Sequence, residues 1–185
     1  MCCMNNSTMS IIDSKILREK IKDNSIRIVD VRREQDYQLG HITNAVNLPL
    51  AKLLADDSAE SIQKIAQDLG ISDETSVVIY DDTFGALSSR VVWALQYIGH
   101  KDAKLLDVTF SQWTALGYEI STEVPEIESA THSIKENKEI MATAEYLEKV
   151  KENKNVVIID NRERLNYLEQ HIPGAINIPY RTLAT

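Results

Sequence analysis

Between Met4 and Thr185 the sequence contains no cysteine. The body of the chain therefore offers no thiolate nucleophile, no redox thiol and no disulfide. The two cysteines, Cys2 and Cys3, are adjacent near the N-terminus, a spacing that makes neither a CxxC redox pair nor a zinc clip. Residues 1–8 are expected to form a disordered tail, with acylation of that tail or initiation at Met9 as the alternatives. Positive charge is also in deficit: 20 Lys plus Arg stand against 28 Asp plus Glu, a net charge of -8. This argues against nucleic acid as the main partner, because phosphate binding needs a basic surface. No apolar run approaches the ~18–20 residues that cross a bilayer. The opening MCCMNNSTMS has neither Lys or Arg nor the apolar core of a secretory leader, and a cytoplasmic location is expected. No metal cluster and no cofactor are expected. What is present is ordinary for a globular protein, with 43% hydrophobic and 26% charged residues in 185. That excludes wholesale disorder, collagen-like repeats and a coiled-coil rod, and allows one domain or one domain and part of another.

The most informative feature is an internal repeat. Asp30 to Pro49 reads DVRREQDYQLGHITNAVNLP and Asp160 to Pro179 reads DNRERLNYLEQHIPGAINIP, aligned without a gap at an offset of 130 residues. The identical pairs are Asp30/Asp160, Arg32/Arg162, Tyr37/Tyr167, His41/His171, Ile42/Ile172, Ala45/Ala175, Asn47/Asn177 and Pro49/Pro179. An offset of that length is the size of a whole small domain and points to a tandem duplication. The first copy is read as residues 9–125. The polar stretch 126–138, EIESATHSIKENK, lacks apolar periodicity and reads as a linker. The second copy, 139–185, has only 47 residues and so reads as truncated. A piece of that size buries too little apolar surface to fold well unaided, so it is expected to dock, to self-associate or to fray.

Within the first copy, strands alternate with helices. Asp13 caps a short helix carrying Ile16, Leu17 and Ile21, and Ile26 to Val31 is an apolar strand. A helical turn over Asp36 to Leu39 ends at Gly40, and a strand follows over Ala45 to Leu48. Ser58 to Leu69 is a helix stopped by Gly70. The strand Val77 to Tyr80 leads through the loop DDTFG into a helix over Ala86 to Ile98. Lys104 to Asp107 is a strand and Phe110 to Leu116 a helix. This alternation predicts an α/β domain with a parallel sheet flanked by helices on both faces, followed by the first part of a second copy. Ligands of such sheets sit at the carboxyl ends of the strands.

The repeated residues read mainly as structural. Asp30 and Arg32, like Asp160 and Arg162, leave a strand end two residues apart and can form a carboxylate–guanidinium fork, with anion binding by Arg32 as the functional alternative. His41 and His171 lie in a turn before a strand, where a hydrogen-bonded histidine competes with a proton shuttle. Ala45 and Ala175 suit a close approach of sheet and helix, and Trp93 and Trp113 read as core aromatics. Asp81 and Asp82, between a strand and a helix, read as carboxylates that satisfy loop and helix N-terminal amides.

The ordered set DVR…Y..GHI..A.NLP, VVIYDD…G…SR..W.L...GH and LLD…W...G…P resembles a rhodanese domain, and the pair of copies resembles the tandem thiosulfate and 3-mercaptopyruvate sulfurtransferases. The resemblance implies sulfur transfer through a cysteine persulfide held by converging loop amides at a helix N-terminus. Asp81 stands where an active domain of that family has its cysteine, as in the inactive first copy of tandem members, so no catalytic residue is expected in this chain. The LDVT of Leu106 to Thr109 departs from the family's LDGG. The resemblance also implies that Arg162 and Arg164 can help bind an anionic substrate; on their own, Arg162 reads as the partner of Asp160 and Arg164 as a solvated charge. The counterpart of Asp81 in the second copy falls near 211, beyond Thr185. A small anionic sulfur donor is thus a partner only if that loop is supplied. A non-catalytic binding or regulatory module is the alternative. A phosphatase on the same fold fails, because its loop needs Cys, five residues and Arg.

Overall fold

The structure is a computed structural model that describes residues 10–23 and 26–183. The 1–8 tail with Cys2 and Cys3 lies outside the described residues. In chain order the first strands are β1 (Ser10–Ile12), β2 (Ile26–Asp30), β3 (His41–Ile42), β4 (Ala45–Asn47), β5 (Ser76–Tyr80), β6 (Ala103–Leu106) and β7 (Ile120–Ser121). One parallel sheet takes them in the order β1-β6-β5-β2-β4, and β3 pairs antiparallel with β7. The helices are α1 (Ser14–Lys20), α2 (Glu34–Leu39), α3 (Leu50–Ala55), α4 (Ala59–Asp68), α5 (Ser88–Tyr97) and α6 (Phe110–Ala115).

Alternation along each strand sends neighbouring side chains to opposite faces. Val29, Val77 and Ile79 pack in one core with Leu53 of α3, Ile62 and Ala66 of α4, and Val92 and Leu95 of α5. Ile28, Val78 and Tyr80 pack in the other with Leu17 of α1 and Trp113 of α6. The chain thus has the α/β architecture expected, with helices on both faces of a parallel sheet. Local signals set the helix starts. Asp13 accepts from the Lys15 amide, Ser58 from the Ser61 amide, and Thr109 forms a reciprocal capping box with Gln112. Thr109, its cap, is the last residue of the LDVT segment. Trp113 is fully buried, whereas Trp93 is only half-buried, stacked on Tyr97.

The stretch 126–138 is more than a linker: it packs on the first unit as a strap. That unit ends at Lys138 and the second begins at Glu139. Ile127 and Ile134 lie against the first core, and the amides of Ala130, Lys135 and Asn137 donate to the carbonyls of Gln67, Ile98 and Tyr97. Gly99 is required here, since its φ is 93° and a Cβ would meet the Lys135 carbonyl at 2.5 Å. His132 of the strap is buried, with Nε2 3.2 Å from Nδ1 of His100. The two remaining ring nitrogens, His100 Nε2 and His132 Nδ1, are buried without a hydrogen-bond partner.

Burial, then the neighbouring His132, holds His100 below the ordinary histidine range. The folded state therefore binds protons less readily than the unfolded chain, and stability rises with pH through this window. The contribution of neutral His100 is complete above about pH 6.5 and falls as the pH drops below it toward the depressed folded value. Urea midpoints are expected to fall between pH 7 and pH 5.5, and His100→Gln to flatten that slope. An unchanged slope in the variant would refute the assignment.

In the second unit α7 (Ala144–Val150) precedes β8 (Ile159–Asp160), which pairs in parallel with β9 (Ile176–Asn177) across α8 (Arg164–Glu169). Among its described residues only Ala175 is buried, as a short stretch with little apolar cover dictates.

Candidate functional site

Asp81 leaves β5 at the carboxyl end of the sheet. The loop after it turns through two left-handed residues, Phe84 at φ 54° and Gly85 at φ 86°, which aims successive amides inward. Asp81 is the group they meet. Its Oδ1 accepts from the amides of Thr83 and Gly85, each at 2.9 Å. Its Oδ2 accepts from the amides of Leu87 and Ser88 at 2.9 and 3.0 Å and from the hydroxyls of Thr83 and Ser88 at 3.0 and 3.1 Å. The carboxylate is 2% exposed. Burial pushes its pKa up, but the Ser88, Gly85, Thr83 and Leu87 amides outweigh burial and hold it below the ordinary range. With both oxygens accepting hydrogen bonds, the Asp81 carboxylate occupies the concavity that the loop amides form. Asp82 also meets a helix N-terminal amide, but of α6: its carboxylate accepts from the amide and hydroxyl of Ser111.

Beside this loop lies a cavity of about 600 Å³ lined in part by Arg32, Arg33, Asp36, Asp82 and Phe110. Arg32 is not available to an anion there. Its Nε reaches both oxygens of Asp30 at 3.1 Å, its Nη2 donates to Asp30 Oδ2 at 2.6 Å and to the Gly40 carbonyl at 2.7 Å, and its plane lies 3.7 Å over Phe110. Asp30 is fully buried and also accepts from the Tyr80 hydroxyl at 2.6 Å. Burial and that carboxylate raise Tyr80 well above the ordinary tyrosine range, so it remains a donor.

The other repeated residues complete this brace. Tyr37 donates to the Ala45 carbonyl at 2.8 Å and stacks on His41, and Asn47 donates to the carbonyls of Asp30 and Arg32. His41 is fully buried between the carbonyls of Tyr37 and Glu123, which leaves no path for a proton shuttle. The second unit repeats the geometry: Arg162 bonds Asp160 and the Gln170 carbonyl, Tyr167 bonds Ala175 and stacks on His171, His171 Nδ1 is 2.8 Å from the Tyr167 carbonyl, and Asn177 bonds Asp160 and Arg162. Arg162 lines a cavity of about 620 Å³ in that unit, but its fork is already engaged. Arg164 starts α8, is exposed and does not line that cavity, so the structure does not bring the two arginines together. Tyr80 is the member that the sequence did not reveal. The repeat stops before its counterpart, so comparison of the copies gave no signal. Among the described residues no three His, Cys, Asp or Glu side chains converge as a metal would require, and no helix is long and apolar enough to cross a membrane.

A family model described as the rhodanese-like domain matches residues 13–116 and 143–185. The chain is 27% identical over 200 residues to the sulfur carrier protein TtuD of Thermus thermophilus, an alignment covering 92% of this chain and 69% of that protein. It is 30% identical over 128 residues to the thiosulfate sulfurtransferase of Gallus gallus, across 63% of this chain and 44% of the relative. In structure it is similar to the 3-mercaptopyruvate sulfurtransferase SseA of Escherichia coli, with a TM-score of 0.86, 22% identity and coverage of 96% of this chain and 78% of the other. That likeness establishes the fold.

Proposed function

Because the chain belongs to the rhodanese-like domain family, we propose that it is part of a tandem rhodanese-type sulfurtransferase, with residues 9–125 as the non-catalytic copy and residues 139–185 as the opening of the catalytic one. The reaction is transfer of sulfane sulfur from thiosulfate or 3-mercaptopyruvate to a thiophilic acceptor, in the cytoplasm. One observation carries the reading: the carboxylate of Asp81 fills and saturates the amide cradle of the first copy. Transfer through a persulfide needs a thiolate in such a cradle, where converging amides lower its pKa and stabilise the anion. Carboxylate oxygen carries no transferable sulfur, and its charge repels an incoming anionic donor. The nucleophile is therefore assigned to the second copy, whose equivalent loop falls near 211 by the repeat offset, and Arg162 and Arg164 are assigned to binding the donor once that loop is in place. Self-association through the second unit belongs to the same reading, since its Leu165, Leu168 and Ile176 are exposed.

The filled cradle equally favours a second reading, a non-catalytic binding or regulatory module. The first test is thiocyanate formation from thiosulfate and cyanide by this chain. The expected result is a rate no higher than that of its Cys2→Ser/Cys3→Ser variant, and a higher rate overturns both readings. A chain extended through a complete second copy is then expected to turn over; an inert one leaves the binding module.

A further inference from the structure

At the amino ends of the strands, opposite Asp81, a cavity of about 500 Å³ is lined by Ile26, Arg27, Asn44, Gly70, Thr75, Pro125 and Glu126. Its one cationic lining residue, Arg27, lacks what every other half-buried arginine of the first unit has. Arg32 pairs with Asp30 and Arg90 with Asp57. Arg27 Nε is buried with no hydrogen-bond partner, and among the described residues no ion pair includes its guanidinium. Burial lowers its pKa. A half-buried guanidinium with no ion-pair partner among the described residues, in a chain of net charge -8, is costly unless something pairs with it.

The surroundings are shaped to hold the guanidinium at the cavity. Gly70, at φ 68°, leaves the space: a Cβ there would lie 2.8 Å from Arg27 Nη2, 2.8 Å from Ile127 and 2.9 Å from the Glu128 carbonyl. The strap thus forms one wall. Thr75 Oγ1 is occupied by the Ser72 amide and hydroxyl. Glu126 is the acidic lining residue and is exposed.

We propose that this cavity is a binding site for a small oxyanion, held by the fork of Arg27 over Gly70 and bordered on one side by Pro125 and Glu126. The recognising chemistry is a planar fork of N–H donors meeting a carboxylate, sulfate or phosphate. Glu126 repels the anion and sets the affinity low. Occupancy fastens the strap at the end remote from His132.

The test is titration of the chain with sodium sulfate, and separately with sodium acetate, at fixed ionic strength, followed by amide NMR shifts. Saturable shifts are expected at Arg27, Gly70 and Glu128. Stronger binding of sulfate than acetate assigns the site to tetrahedral anions, and the reverse to carboxylates. Arg27→Met is expected to weaken binding at least about tenfold, and Glu126→Gln to tighten it about threefold. If the methionine variant fails to fold, Arg27→Lys, which keeps the charge and loses the fork, is expected to weaken sulfate binding by a similar factor. Shifts that stay linear with both anions, or binding unchanged in the arginine variants, overturn the proposal. So does a loss of stability in Glu126→Gln, which would make Glu126 itself the counter-ion.

Discussion

Asp81→Ala is expected to cost the first unit about 3–5 kcal/mol, the range for removing one partner of a buried charged network. The carboxylate is the common acceptor of the Thr83, Gly85, Leu87 and Ser88 amides, and each buried donor left without an acceptor costs about 1–3 kcal/mol. Asp81→Asn is expected to be nearly as harmful, because its NH₂ group would face N–H donors. The effect also has a pH signature. The folded pKa lies below the ordinary carboxylate value, so the stabilisation is fully present above about pH 4 and is lost as the pH falls through the folded value. Urea unfolding of the wild-type chain and both variants at pH 7 and pH 3 measures this. Variants within about 0.5 kcal/mol of wild type would show that solvent replaces the carboxylate at little cost and that the cradle is not built around it.

Asp30→Ala is expected to produce a loss of the same order, about 3–5 kcal/mol, for a different reason. Asp30 is fully buried and neutralises Arg32, whose side chain is 9% exposed, while also accepting the Tyr80 hydroxyl. Removing it strands a guanidinium and a phenol in the interior. A guanidinium is too basic to shed its proton even when buried, so the cation persists after Asp30 is gone and cannot escape by deprotonating. The equivalent Asp160→Ala makes an internal control. Arg162 is 49% exposed, so water can take over its solvation and a far smaller change is expected. Equal losses at the two positions would refute burial as the source of the difference.

The parallel sheet and its two-sided cover were legible because β5 is nearly all apolar, because β2 and α5 carry apolar residues at strand and helix spacing, and because Asp13 and Ser58 stand at helix starts. β1 escaped because three residues show no period, and α3 because a six-residue helix straight after Pro49 offers too few turns. The strap escaped for a deeper reason. It is held by backbone amides reaching Gln67, Ile98 and Tyr97 and by one buried histidine, and hydrogen bonds of that kind leave no side-chain pattern. At the site, the presence of a carboxylate at 81 was readable, and so was the fork between Asp30 and Arg32. That Asp81 satisfies loop and helix N-terminal amides was readable as well; the route was not, since it runs through Phe84 in a left-handed backbone that its side chain does not favour.

The brace built by Asp30, Arg32, Tyr37, His41, Ala45 and Asn47 has a consequence for how the chain acquires its shape. Its internal side-chain bonds link residues between 2 and 17 positions apart, and the second unit completes all but the bonds to Tyr80 and Glu123 from its own short stretch. Ring closure over such short distances is entropically cheap and fast. Each copy therefore sets the direction and register of one parallel strand pair, β2 with β4 and β8 with β9, by contacts that close within its own short stretch.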